Sequence, residues 1–254
     1  NKVAGKLIPQ GKWCHQYPRP TILQPTDPNF GKVADIWYKH IKKVYGIRGS
    51  HFGGDLFHEG GNQGGTPLKE AAEAVQAAML KAAPGSKWLI QAWGHNPSPQ
   101  LLSGTKPENT IILALDKDMR ANHNISRNYQ GRPHVWCELA NFGGNHGLYG
   151  GIPLLEKMPA DIGGAIGIGL LSEGLEVNPL YYAMVTERIN SAGPVDRRSF
   201  LTHYAKGRYG TDDADIIQAL DIISFNCTAC PHDSEFMVKA AVGVKGYENP
   251  YDNT

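Results

Sequence analysis

Apolar strands alternating with helices predict an α/β fold of the (β/α)8, TIM-barrel type, with an incomplete ring and the start of an α-helical region behind it. Two observations carry this. Five apolar, strand-like runs each end in polar or glycine-rich residues and give way to a helical pattern, as a parallel sheet covered on both faces requires. No G-x-G-x-x-G or Walker loop follows any of them, which argues against an open doubly wound sheet. Five parallel strands do not close a barrel, so the chain is expected to be part of something larger. The expected division is the later part of the barrel over 1–190 and the start of a helical domain over 191–254.

The elements follow in order. Residues 1–29, with Pro9, Pro18, Pro20, Pro25 and Pro28, are expected to be irregular. Asp27-Pro28 opens a helix over Phe30–Tyr45, where Val33, Ile36, Trp37, His40, Ile41 and Val44 recur at helical spacing and Gly46 ends the run. His51–Phe57 reads as a strand, followed by His58-Glu59-Gly60-Gly61-Asn62. Thr66–Ala83 is an alanine-rich helix, with Thr66 as N-cap, Pro67 at its first position and Pro84-Gly85 as its stop. Lys87–Trp93 is the second strand, and a short helix covers Pro99–Ser103. Thr110–Leu115 is the third strand and Pro133–Ala140 the fourth. Helices are expected over Leu148–Met158, from Asn178-Pro179 to about Asn190, and near Asp196–Tyr209 and Asp212–Phe225. Between the first two of these, Ala165–Leu171 is the fifth strand.

Pro133–Gly151 organises the chain. It begins as an apolar strand and ends with five glycines in nine residues around Asn145 and His146, after Asn141. Glycine permits positive φ and close approach of backbone to a ligand. A buried strand opening into such a loop is how a barrel presents polar groups at its mouth. A tight turn with glycines for geometry alone is the plain alternative.

Composition bounds the rest. The 254 residues are 41% hydrophobic and 19% charged, with net charge +1, as in an ordinary globular protein. That balance argues against nucleic acid or an anionic membrane as an obligate partner. No apolar run approaches the roughly 18 residues of a membrane span. The N-terminus carries no signal-peptide core, which leaves compartment open. Cys137 reads as a buried thiol, and Cys14 stands alone. Cys227 and Cys230 form a C-x-x-C without a second pair at zinc spacing, so a small disulfide loop is preferred to zinc or redox chemistry. Asn124-Ile125-Ser126 matches the glycosylation pattern, and Asn226-Cys227-Thr228 matches it weakly.

Two carboxylates occupy equivalent positions. Glu59 follows the first strand and Glu173 the fifth, each before a glycine. In a ring of eight, four strands apart means opposite sides of the mouth. Glycosidic cleavage requires two such carboxylates, one as acid/base and one as nucleophile or water activator. Salt bridging or capping is the plain alternative for either. Trp93 and Trp136 are candidate platforms for a sugar ring or core residues, Trp93 being the better platform at its strand's end. The ten histidines include no H-E-x-x-H pair, so no metal is expected.

Three motifs then carry a resemblance: DLFHEGGN at Asp55–Asn62, WCELANFGGNHGLYGG at Trp136–Gly151 and SEGLEVNPLYY at Ser172–Tyr182. WLIQAW and the later Arg208-Tyr209-Gly210 support it. From about Pro25 to Cys230 the sequence resembles glycoside hydrolase family 89, the α-N-acetylglucosaminidases. The resemblance implies a retaining glycosidase with Glu59 as general acid/base and Glu173 as nucleophile. It implies that Trp93, Leu115 and the loop of Asn141 and Asn145 line a pocket for terminal GlcNAc. It also implies no cofactor, a heparan-type or mucin-type glycan as substrate, and a secreted, periplasmic or lysosomal location. Missing barrel and helical segments would come from the parent chain. His58 stands where related glycosidases carry Asn, so its contact to the sugar is open. The wider barrel clan spaces its carboxylates three strands apart, which leaves room for one middle strand here to lie outside the ring. A non-catalytic or inactive glycan-binding fragment and a metal-dependent hydrolase are the alternatives.

Overall fold

The computed structural model describes residues 5–13, 16–46, 51–117, 129–140, 152–157, 164–172, 178–191 and 193–226. The N-terminal segment, expected to be irregular, forms two small antiparallel ladders. β1 (Leu7–Ile8) pairs with β4 (Ile22–Leu23), and β2 (Lys12–Trp13) pairs with β3 (Tyr17–Pro18). Two-residue strands offer no periodicity to read. Asp27 then accepts from the Lys6 amide at 2.7 Å and the Asn29 amide at 2.7 Å, which holds its carboxyl below the usual range and anchors the helix entry.

α1 (Phe30–Tyr45) has the expected bounds and ends at Gly46, whose φ of 61° favours glycine. β5 (His51–Gly53) is shorter than the expected His51–Phe57; the chain leaves the sheet there and enters turns over Leu56–Gly60, with Phe57 and Glu59 left-handed. α2 (Leu68–Ala82) has Pro67 at its N-cap, and no side chain caps it there. Thr66 is therefore not the cap. β6 (Lys87–Ala92), α3 (Pro99–Ser103), β7 (Thr110–Lys117) and β8 (His134–Ala140) follow nearly as expected. α4 (Ile152–Lys157) falls within the expected Leu148–Met158, whose residues 148–151 and 158 lie outside the described residues, and β9 (Ile168–Ser172) starts later than the expected Ala165. α5 (Pro179–Asn190), α6 (Arg197–Tyr209) and α7 (Ala214–Asp221) complete the order, and a π-turn over Ile222–Asn226 replaces the expected last helical turn.

One sheet runs in the order β5-β6-β7-β8-β9. The β5–β6 and β6–β7 pairs are parallel, with Phe52 opposite Trp88 and Ile90 opposite Ile112. All the middle strands belong to the sheet, so none lies outside it. The core beside it comes from alternation: Trp88, Ile90 and Ala92 of β6 and Ile112 and Ala114 of β7 pack with Met79 of α2 and Leu101 and Leu102 of α3. Two buried polar side chains are fully used, as burial demands. Gln76 donates to Thr110 Oγ1 at 3.1 Å and accepts from the Lys106 amide at 2.6 Å. Arg132 donates to the carbonyls of Leu102 at 2.5 Å and Thr105 at 2.9 Å.

The chain forms two compact units. Residues 1–115, 124–137 and 163–169 make the first; residues 116–123, 138–162 and 170–254 make the second. In the second, Asn178, Asp196 and Asp213 cap α5, α6 and α7 by accepting from backbone amides. Arg197 joins α6 to Glu156 of α4 at 2.6 Å. Among the described residues no helix is long and apolar enough to cross a membrane.

Candidate active site

The loop after β5 is shaped by the protein's own backbone and side chains. Phe57 at φ 53°, Glu59 at φ 47° and Gly60 at φ 77° all lie in the left-handed region. For the two non-glycine residues this is strained backbone, of the kind that clusters at functional sites and persists only when surroundings enforce it. Those surroundings come from the N-terminal ladders. Arg19 donates to the His58 carbonyl at 2.5 Å and to the Glu59 carbonyl at 2.8 Å. Gln10 donates to the Asn62 carbonyl at 2.8 Å, and Asn62 returns a bond to the Pro9 carbonyl at 3.1 Å. A Cβ at Gly61 would press on the tip of Gln10 at 2.5 Å and lie 3.1 Å from the Phe57 backbone, so a side chain there would displace Gln10.

The Glu59 carboxyl is held from two sides. The Trp13 indole N–H donates to Oε2, and His58 Nε2 lies 3.7 Å from Oε1. On the far side of the imidazole, His58 Nδ1 lies 3.7 Å from Asp55 Oδ2. Asp55 is fixed in turn: its Oδ1 accepts from the Gln91 amide at 3.0 Å and from Asn96 at 3.5 Å. Burial pushes the Asp55 carboxyl up, against the Gln91 amide and His58, which pull it down.

Opposite this loop, the chain turns after β6. Trp93 and Asn96 exchange backbone bonds at 3.0 and 2.9 Å, which brings Asn96 back towards Asp55. Between the two loops lies a cleft of about 480 Å³, lined by Asp55, His58, Glu59, Trp93, His95 and Asn96 among others. A cleft of this size with a carboxyl and an indole in its lining holds the residue types that recognition of a sugar ring uses.

The structure thus brings Glu59, His58 and Trp93 together. Leu115 lies on β7, half-buried, and is not part of this lining. Trp136 is fully buried on β8, which sets it with the core residues and gives it no face for a sugar. Glu173, Asn141, Asn145, Asn124, Cys14, Cys227 and Cys230 lie outside the described residues. Cys137 is a buried free thiol, raised by burial to about 11. The sequence reading missed Asp55, Trp13, Arg19, His95 and Asn96. Asp55 left a weak signal, three residues before His58; the pairing of Trp13 and Arg19 with the loop left none.

Known proteins share this arrangement of chain. The family model described as the alpha-N-acetylglucosaminidase (NAGLU) tim-barrel domain matches residues 2–192. Alpha-N-acetylglucosaminidase of Homo sapiens is 28% identical over 242 residues, covering 86% of this chain and 32% of that protein. A family 89 glycoside hydrolase from Clostridium perfringens, solved with 2-acetamido-1,2-dideoxynojirmycin, is 30% identical with a TM-score of 0.77, over 86% of this chain and 26% of that one. The same similarity holds for a Clostridium perfringens form with two Glu-to-Gln exchanges, bound to its substrate GlcNAc-alpha-1,4-galactose. The chain therefore spans about a third of the curated relative and about a quarter of the solved ones.

Proposed function

Because the chain belongs to the α-N-acetylglucosaminidase (NAGLU) TIM-barrel family, we propose that it supplies part of a retaining glycosidase that releases terminal α-linked N-acetylglucosamine. Residues 1–190 contribute the later part of the barrel, and 191–254 begin a helical region. Glu59 is the general acid/base and Glu173 the nucleophile. One observation carries the reading: the Glu59 carboxyl lies in a loop enforced from distant residues, beside Trp93 in a cleft of about 480 Å³.

The chemistry runs in two displacements. Glu59 gives its proton to the leaving oxygen as the bond to the anomeric carbon breaks, and Glu173 forms the new bond to that carbon. Glu59, now a carboxylate, takes a proton from water, and the water oxygen displaces Glu173. The sugar leaves with its configuration retained, and both residues return to their starting states. The carboxyls of such a pair lie roughly 5 Å apart. Trp93 stacks on the ring in the cleft. The aglycone is a second sugar of a heparan-type or mucin-type glycan.

The test is hydrolysis of an α-N-acetylglucosaminide whose leaving group is a second sugar, by the full-length parent protein, beside Glu59→Gln and Glu173→Gln. Each variant is expected to lose at least about a hundredfold in kcat/KM. Full activity in either sinks the role given to that residue. A parent protein that binds the sugar without hydrolysing it would favour a glycan-binding module instead.

A further inference from the structure

We propose that Asp55 and His58 are positioning residues that keep the acid proton on the Oε1 side of the Glu59 carboxyl. The inference rests on Glu59 being the acid/base.

Three observations lead there. Asp55 has a side chain only 10% exposed, and its Oδ1 is already taken by the Gln91 amide and Asn96. Its remaining oxygen faces His58 Nδ1, and His58 Nε2 faces Glu59 Oε1, each at 3.7 Å. The other Glu59 oxygen, Oε2, accepts the Trp13 indole N–H.

The protons then have few places to go. A neutral imidazole carries one N–H and one lone pair, and an ionised carboxylate only accepts. Asp55 therefore draws the N–H to Nδ1, and Nε2 presents its lone pair to Glu59. An indole only donates, so Oε2 is committed to accepting from Trp13. The Glu59 proton therefore belongs on Oε1, 3.7 Å from Nε2, a separation longer than a hydrogen bond that closes as the substrate complex tightens. It lies on Oε1 or Nε2, and the leaving oxygen takes it from Oε1. Water in the second displacement replaces it, so the pair gains and loses nothing over a turnover. The orientation of the imidazole by a buried carboxylate follows the logic by which a third group fixes a catalytic histidine. Among the described residues, Arg19, which binds the His58 and Glu59 carbonyls, and His95 across the cleft also face the pair, and the proposed mechanism adds the Glu173 carboxyl roughly 5 Å from Glu59.

Asp55 also ties the β5 loop to β6, so a purely structural role must be separated. In the full-length parent protein, kcat/KM is measured against pH for two glycosides, one with a dinitrophenyl and one with a sugar leaving group. Only the sugar needs a proton as it departs. Asp55→Asn and His58→Gln are each expected to move the alkaline limb down by about one pH unit. Each is expected to lose about tenfold on the sugar leaving group and little on dinitrophenyl. The double variant should lose no more than either single one. An unmoved limb, equal losses on both leaving groups, or losses that add would overturn the proposal. His58 has a side chain 53% exposed, so His58→Gln keeps the test alive if Asp55→Asn does not fold. Glu59→Gln separates the two levels. If it retains activity on the sugar leaving group, the acid/base reading itself fails. If it loses that activity while the limb stays unmoved in Asp55→Asn and His58→Gln, only the present proposal fails.

Discussion

β6 and β7 are made by burial, whereas β5 and its loop are made by polar ties. On β6, Trp88, Ile90 and Ala92 alternate into the core, and on β7 Ile112 is wholly buried. On β5 no residue is buried, and the strand stops after Gly53. Yet the residue that carries the proposed chemistry hangs from β5. Its loop is held by Arg19, Trp13 and Gln10 from the N-terminal ladders, and by Gln91 and Trp88 from β6; Trp88 donates to the Gly54 carbonyl at 2.8 Å. Stability and site geometry therefore rest largely on different residues, with Trp88 and Leu101 shared between core and cleft.

The largest effect should come from the buried side. Gly104 closes α3 against α2, where a Cβ would stand 2.1 Å from the Lys69 carbonyl oxygen. Backbone cannot yield as a side-chain tip can. Gly104→Ala is expected to cost about 3 kcal/mol or more in chemical denaturation, and an unchanged midpoint would show that α3 is not docked there. Arg19→Ala should do the reverse. Loss of its two bonds frees the strained loop, and misplacing a catalytic group can cost about a hundredfold in rate. The expected outcome is that loss in kcat/KM with a melting temperature close to that of the parent. A large fall in melting temperature with kcat/KM preserved would erase the contrast between the two regions.

Asp55 sharpens the comparison further. Burial raises its folded-state pKa above the ordinary 3.8, so the unfolded chain loses this proton first as pH rises. The contribution of Asp55 to stability is therefore full below about 3.8 and is lost as pH climbs through the folded-state value. Asp55→Asn, which keeps an acceptor for the Gln91 amide, should be at least as stable as the parent at neutral pH while failing in the acid step. A destabilised Asp55→Asn at pH 7 would make the residue structural first.

His134 gives the smallest effect, with the opposite sign. It is 8% exposed at the start of β8, its ring 5.7 Å from Tyr129, and burial holds its pKa below the ordinary 6.5. The unfolded chain takes up a proton first as pH falls. Stability present above about pH 6.5 is therefore lost from there downward through the folded-state value. His134→Gln should flatten that part of the stability curve, as followed by urea midpoints from pH 7 to 5. An unaltered slope would assign the acid sensitivity to other groups.

The same division decides what was legible in the sequence. WLIQAW and TIILAL announce β6 and β7 because alternation and β-branched residues record burial directly. The apolar spacing of Phe30–Tyr45 marks the helix and Gly46 its end, although Ile36, Trp37 and Val44 are exposed and Ala34 is its one buried residue. The strand expected over His51–Phe57 stops at Gly53, where the chain leaves the sheet for a turn over Leu56–Gly60 that Arg19 holds by the His58 and Glu59 carbonyls. Glu59, His58 and Trp93 were readable by position at strand ends. Trp136 was readable only as one of two options, since an indole in a strand suits a core or a sugar equally. Trp13 and Arg19 left no signal: the first lies 46 residues from Glu59 and the second 39 from His58, in a segment without periodicity. Long-range polar ties write nothing into a local pattern.

The most direct measurement is the product formed when azide is given to Glu59→Ala and Glu173→Ala of the parent protein with an aryl α-N-acetylglucosaminide. In Glu173→Ala, azide takes the place of the nucleophile and should give the β-glycosyl azide. In Glu59→Ala, azide should attack the sugar already bound to Glu173 and give the α-glycosyl azide. That pair of products would establish both roles in one experiment. A β-azide from Glu59→Ala, or no azide product from either variant, would contradict the assignment of Glu59 as the acid/base beside the cleft.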